Sequence, residues 1–159
     1  MGIYNEKNSF EREIARVQSA AISDENKNVI LEFKSYLIAT RIGILRTTRY
    51  VNILRQISER YNSKNYSDWT KKDVIETLEK IEMEDYSPYT KKEFDKTLKR
   101  FFKWSKGGNW EGLEAIKGNR KINRKPDILA KEEVLSVIEA ATHPRNKAIV
   151  SLLYEGGFR

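Results

Sequence analysis

One stretch of the sequence carries lysines at a spacing that suits binding to a polyanion. After Pro88 the lysines recur at intervals of four, three, four and three residues, at Lys92, Lys96, Lys99, Lys103 and Lys106. This spacing keeps them on one face of an α-helix. Cations of one sign repel one another there, and a row of phosphates would relieve the repulsion. The pattern predicts contact with a nucleic-acid backbone, and a merely solvated helix face is the alternative.

A second basic segment lies earlier in the chain, between residues 41 and 61. It contains five arginines and a single acid, Glu59. Hydroxyls and free backbone N–H groups in the first turn of a helix can contact a phosphate. The candidates for DNA contact here are Arg46, Thr47, Thr48, Arg49 and Arg55. The segment from residue 68 to 86 is acidic instead, so the charge along the chain is polarised.

A third basic segment, residues 117–125, contains no acid. Its cations are Lys117, Arg120, Lys121, Arg124 and Lys125. Together with the nearby glycines, this composition predicts an interdomain linker that follows a nucleic-acid backbone. A disordered basic connector is a second interpretation, compatible with the first.

Other kinds of chemistry find little support in the sequence. The 159 residues include no cysteine and one histidine, His143, which stands at a predicted helix start and is expected to cap the helix or face solvent. No glycine-rich phosphate loop or Ser–His–Asp set is present. We therefore expect no metal site, no cofactor and no small-molecule ligand. A net charge of +7 and the absence of a long apolar run favour a cytoplasmic protein that binds polyanions and no membrane.

Apolar residues at helical spacing predict an all-α protein. A short leading helix is expected over residues 9–21, and four helices over residues 24–106 form a small bundle. Asp24, Thr70 and Ser87 are the predicted caps. The third helix of the bundle is expected to bury Val74, Ile75, Leu78 and Ile81, and the fourth Phe94, Leu98, Phe101, Phe102 and Ser105. Two further helices are expected over residues 131–141 and 144–155.

The end of the chain resembles the tyrosine recombinases of the phage integrase family. Residues 126–134, PDILAKEEV, are similar to the family's entry to the catalytic domain, P-x-x-L-T-x-E-E-V. Residues 145–159 resemble R-D-x-A-L-x-x-L-L-Y-x-T-G-L-R, with Asn146, Gly156 and Phe158 as departures. Residues 24–106 resemble the family's core-binding, SAM-like domain more generically.

The resemblance implies a division of the chain into four parts. These are an N-terminal segment (1–22), a helical core-binding DNA-binding domain (23–108), a basic linker (109–126) and a truncated start of the catalytic domain (127–159). It also implies that Arg159 is the family's first catalytic arginine, which grips the scissile phosphate. Expected partners are duplex DNA and other recombinase protomers assembled on it.

Two other functions remain open from the sequence. A helical DNA-binding regulator would need a recognition helix in helix-turn-helix geometry, which the long polar loop at residues 62–68 does not suggest. A helical protein-interaction module would present the lysine face to an acidic partner. Competition by nonspecific duplex DNA would separate the second function from DNA binding.

The resemblance yields a prediction about Arg159. The family's lysine, its His-x-x-Arg motif and its nucleophilic tyrosine are expected beyond residue 159, so this chain should form no covalent adduct with DNA. In the longer protein that the resemblance implies, Arg159→Ala should abolish cleavage and largely preserve binding, because a planar guanidinium holds two phosphate oxygens in the transition state. A nicked suicide substrate, followed by a denaturing gel, measures the adduct. An adduct formed by this chain alone would contradict the assignment.

Overall fold

The computed structural model describes residues 6–117 and 129–156. All of the regular secondary structure within these residues is helical. This confirms the predicted all-α class. The chain divides into two units, Met1–Ile122 and Asn123–Arg159. The helices are α1 (Glu6–Ser19), α2 (Asp24–Ala39), α3 (Ile44–Arg60), α4 (Lys71–Met83), α5 (Pro88–Ser105), α6 (Lys131–Ala140) and α7 (Pro144–Gly156), with 3-10 turns at Tyr66–Asp68 and Glu111–Ala115.

Polar side chains set the starts of three helices in the first unit. Ser23, and not the expected Asp24, caps α2: its hydroxyl accepts from the Asn26 N–H at 3.2 Å. Ser23 has the extended ψ of 148° that a cap needs, whereas Asp24 is already helical. Thr70 caps α4 in a reciprocal capping box, and Ser87 caps α5 ahead of Pro88, both as expected.

The apolar face of α5 forms the centre of the core. Phe94, Leu98, Phe101 and Phe102 are buried as predicted, whereas Ser105, at the end of the same face, is exposed. The Phe101 ring packs edge-on against Phe33 of α2, with centroids 5.2 Å apart. Because these rings must lie inside, the opposite face of α5 is turned to solvent.

The burial of α4 differs from the expectation at one position. Val74 and Ile81 are buried, but Ile75 is 50% exposed and Thr77 is buried in its place. Residues 74, 77 and 81 follow the i, i+3, i+7 spacing of one helix face, and residue 75 lies about 100° away from residue 74.

The polar loop before α4 is tied to the core by buried hydrogen bonds. Asn26, fully buried on α2, donates through Nδ2 to the Lys64 carbonyl at 3.2 Å and accepts from the Tyr66 N–H at 2.9 Å. The Tyr66 hydroxyl donates to the Leu54 carbonyl at 2.7 Å. The loop therefore contributes two core aromatics, Tyr66 and the 1%-exposed Trp69.

A buried carboxylate joins α1 to α3. Glu13 is 3% exposed, and its Oε1 accepts from Arg55 Nε at 2.9 Å and from Asn52 Nδ2 at 3.1 Å. Its Oε2 accepts from Arg16 at 3.2 Å. Three donors compensate the desolvation of this charge, so α1 packs on α3 as part of the first unit.

Part of the expected linker is folded against α5. The indole of Trp110 lies 4.6 Å from the Phe102 ring, and Ile116 is buried. A Cβ at Gly112 would lie within 2.7 Å of three atoms of the Trp110 ring, so the turn needs a glycine there. The basic segment that follows begins at a fixed point on the first unit.

The second unit consists of α6 and α7. The Ala130 N–H donates to Glu133 at 2.7 Å at the start of α6, and His143 Nδ1 accepts from the Arg145 N–H at 3.1 Å at the start of α7. The capping role expected for His143 is confirmed. No helix in the described part of the chain is both long and apolar enough to cross a membrane.

The core arrangement predicts a large effect of truncating Phe101. Phe101→Ala should lower the free energy of unfolding by about 3–5 kcal/mol, because it removes a fully buried ring and leaves a cavity. Urea denaturation followed by circular dichroism measures the change. Lys103→Ala, on the exposed face of the same helix, is the control and should change the free energy by less than about 0.5 kcal/mol. Equal losses in the two variants would contradict the placement of α5.

Candidate nucleic-acid interface

The exposed face of α5 forms one wall of a cation-lined cavity beside α3. This lysine cavity has a volume of about 640 Å³. Its lining residues are Tyr50, Lys92, Lys96, Lys99, Arg100, Lys103 and Lys117. Lysines from one helix thus meet an aromatic side chain of another helix and the first residue of the basic segment.

A second cavity adjoins the first and shares Tyr50 and Lys96 with it. This arginine cavity has a volume of about 530 Å³ and lies beside the first turns of α3 and α5. Its lining residues are Leu45, Arg46, Arg49, Tyr50, Tyr89, Glu93 and Lys96. The two cavities together are called the basic groove below.

Tyr50 lines both cavities and is fixed by the core. Its ring packs against Phe33 with centroids 6.4 Å apart, and the Arg100 guanidinium lies 5.9 Å from its centroid. This second distance is typical of a cation–π contact. The buried stripe of α3 therefore orients Tyr50, and Tyr50 in turn orients Arg100 within the lysine cavity.

One carboxylate lines the groove among the described residues. Glu93 Oε1 accepts a hydrogen bond from Lys96 Nζ at 2.8 Å, and Glu93 Oε2 lies 3.9 Å from Arg49 Nε on α3. The hydrogen bond to Glu93 raises the pKa of Lys96, so the ammonium keeps its charge at neutral pH. The groove therefore holds eight cationic side chains against one acid: Arg46, Arg49, Lys92, Lys96, Lys99, Arg100, Lys103 and Lys117.

The groove brings together seven of the residues that the sequence indicated for DNA contact, from three separate segments. They are Arg46, Arg49, Lys92, Lys96, Lys99, Lys103 and Lys117. Lys99 also donates to the Ile116 carbonyl at 3.4 Å, which places the start of the basic segment beside α5. The candidates Arg120, Lys121, Arg124, Lys125 and Arg159 lie outside the described residues.

The two candidate threonines do not face the groove with free hydroxyls. Thr47 is fully buried, and its hydroxyl donates to the Ile42 carbonyl at 3.4 Å. The Thr48 hydroxyl donates to the Ile44 carbonyl one turn earlier, at 2.8 Å. The Thr48 bond is the side-chain-to-backbone contact usual for threonine in a helix, and the Thr47 bond reaches the loop before α3, so neither hydroxyl is aimed at an external phosphate.

Arg55 is engaged inside the protein. Its side chain is 14% exposed and forms ion pairs with Glu13 at 2.9 Å and with Glu59 at 2.6 Å. Its position on α3 faces α1 and not the groove, so its charge is neutralised by the two carboxylates. Arg55 therefore does not line the basic groove.

Lys106 is likewise removed from the lysine stripe. It caps α5, and its Nζ donates to the carbonyls of Ser67 at 2.6 Å and Trp69 at 2.9 Å. The ammonium also lies 5.1 Å from the Trp110 ring centroid. Burial lowers the pKa of Lys106. Lys106 is the residue after the last residue of α5, Ser105. Its side chain extends to the loop before α4, where its hydrogen bonds stabilise the fold.

Sequence reasoning did not assign five groove residues to the site: Leu45, Tyr50, Tyr89, Glu93 and Arg100. Arg100 lies one turn after Lys96, so the same spacing rule could have included it. Most of the surface of Tyr50 is buried in the core, and Glu93 lies next to the lysines in the arginine cavity. Their roles depend on the packing of α3 against α5, which the sequence does not specify.

No group of His, Cys, Asp or Glu side chains within residues 6–117 and 129–156 is arranged to hold a metal ion. Comparisons of the chain with protein-family models, with curated proteins and with solved structures give no match. The groove is therefore interpreted from its own chemistry.

The placement of the lysines predicts that Lys106 and Lys103 contribute differently to stability. Lys106→Ala should lower the free energy of unfolding by about 1–3 kcal/mol, because it removes charge-assisted hydrogen bonds to two carbonyls. Lys103→Ala removes a groove lysine and should have an effect below about 0.5 kcal/mol. Urea unfolding followed by tryptophan fluorescence measures both. Lys106→Ala as stable as the parent would contradict the structural role.

Proposed function

We propose that this chain binds duplex DNA through phosphate contacts in the basic groove. The observation that carries the proposal is the convergence of eight cationic side chains from α3, α5 and residue 117 on one continuous surface. Water and counter-ions must screen such a cluster in the free protein. A phosphate backbone supplies the opposite charge and releases its own counter-ions when it binds.

The dimensions of the lysine cavity suit a nucleic-acid strand. Lys92 and Lys103 lie eleven residues apart on α5, which corresponds to about 16 Å along a helix axis. Phosphates of one strand repeat about every 3.4 Å along the duplex axis. The lysine row is therefore long enough to face more than one phosphate of the backbone.

We place this activity in a site-specific tyrosine recombinase, of which the chain would be the DNA-binding N-terminal part. The motifs over residues 126–134 and 145–159 support this proposal, and two helices begin where those motifs require them, at Lys131 and Pro144. The family pattern has a threonine at the position of Ala130, which offers no side-chain cap. Glu133 keeps the reciprocal bond to the Ala130 N–H, so the helix start survives the departure.

DNA binding should depend steeply on salt and on the groove lysines. Each phosphate contact adds about 0.9 to the slope of log K against log salt concentration. Replacing Lys96, Lys99 and Lys103 with Gln should lower that slope by up to about 2.7 and weaken binding to every duplex. Fluorescence anisotropy with a labelled duplex at several salt concentrations measures both quantities.

A matched control separates the groove from net charge. Replacing Lys7, Lys34 and Lys72 with Gln changes the net charge equally, at lysines that do not line the groove. This variant should keep most of the affinity of the parent. Equal weakening by the two triple variants, or an affinity insensitive to salt, would contradict the proposal.

A further inference from the structure

The two parts of the basic groove differ in chemistry. The lysine cavity is lined by compact ammonium groups, one arginine and Tyr50. The arginine cavity adds a carboxylate and two exposed apolar side chains, Leu45 and Tyr89. Ammonium groups suit phosphates as point charges, whereas planar guanidinium groups recognise acceptors in pairs. The two parts are therefore suited to different portions of a DNA duplex.

A carboxylate is unfavourable beside a phosphate backbone but useful beside a base. Glu93 lines the arginine cavity, where it would repel phosphates. Its two oxygens are held by Lys96 and Arg49, and its side chain is only 15% exposed, so its position is fixed. A carboxylate is the acceptor that suits the N4 amino group of cytosine in the major groove.

Arg49 supplies the complementary donor next to this acceptor. Its side chain is 53% exposed, and its Nε lies 3.9 Å from Glu93 Oε2. A guanidinium donates in bidentate fashion to O6 and N7 of guanine. A donor fork beside a carboxylate offers the donors and the acceptor that suit the guanine and cytosine edges of one G·C pair in the major groove.

The rim of the arginine cavity also suits base contacts. Leu45 and Tyr89 are about half exposed and stand in the first turns of α3 and α5. The apolar side chain of Leu45 gains nothing from a phosphate, but it can contact the methyl group of thymine. Charged, acceptor and apolar groups thus lie together in a cavity of about 530 Å³.

We infer that the arginine cavity reads base edges, with Arg49 and Glu93 selecting at least one G·C base pair, while the lysine cavity binds the phosphate backbone. This inference rests on the proposed function, since it assigns sequence recognition to one part of the same groove. Arg49 and Glu93 are the specificity-determining pair, and Lys96 positions Glu93 through its hydrogen bond.

Selection of bound sequences from a pool of random duplexes tests the inference on the full chain. The parent should enrich a motif that contains a G·C pair. Arg49→Lys retains the charge and removes the donor fork, so it should lose that preference by roughly 5- to 150-fold. Glu93→Gln should lose the preference for the same pair. Should Glu93→Gln fail to fold, Arg49→Lys alone carries the test.

Lys99→Gln is the matched control, because Lys99 lines only the lysine cavity. It should weaken binding to all duplexes alike and leave the enriched motif intact. Parent protein that binds DNA without sequence preference, or variants that retain the parent's motif, would overturn the assignment of base reading and leave the proposed function standing. Parent protein that binds no duplex DNA would overturn both.

Discussion

The burial of one face of α5 is the constraint on which the rest of the structure depends. Four apolar side chains on that helix lie inside, and among them Phe101 meets the aromatic rings of α2 and of the loop before α4. A helix is rigid about its own axis, so fixing one face fixes the other. The lysines that alternate with those residues are therefore held outward at a spacing set by the backbone. The same packing brings α3 alongside, and its arginines complete the groove.

Cationic side chains in this protein perform two different physical tasks. Arg55 forms an ion pair with a buried carboxylate, and Lys106 donates hydrogen bonds to two backbone carbonyl groups. The groove cations instead crowd together, with Glu93 as the carboxylate among them. Sequence position alone does not separate the two classes, because Lys103 and Lys106 lie one helical turn apart. The two classes differ in location: Arg55 and Lys106 bind acceptors away from the groove, whereas the cations of the other class line it.

The periodicity of the sequence was sufficient to predict the local structure, but it was not sufficient to predict the contacts between helices and loops. The capping box at Thr70 and the apolar face of α5 follow from residues a few positions apart, and both were predicted. The placement of Trp69 depends on Asn26, which lies 43 residues earlier and pins the intervening loop through the backbone of residues 64 and 66. The neutralisation of Arg55 depends on Glu13 in the same way. Such long-range partners set which charges remain available, and spacing along one helix carries no information about them.

The crowding of like charges in the groove couples ligand occupancy to folding. Mutual repulsion among these side chains raises the free energy of the native state, whereas in the unfolded chain they move apart. Any polyanion that occupies the groove neutralises them only in the folded protein, so it acts as a thermodynamic ligand of folding. Dissolved salt screens the same repulsion, and it also lowers the affinity of the groove for a polyanion. The ionic medium thus shifts stability and affinity in opposite directions through one set of side chains.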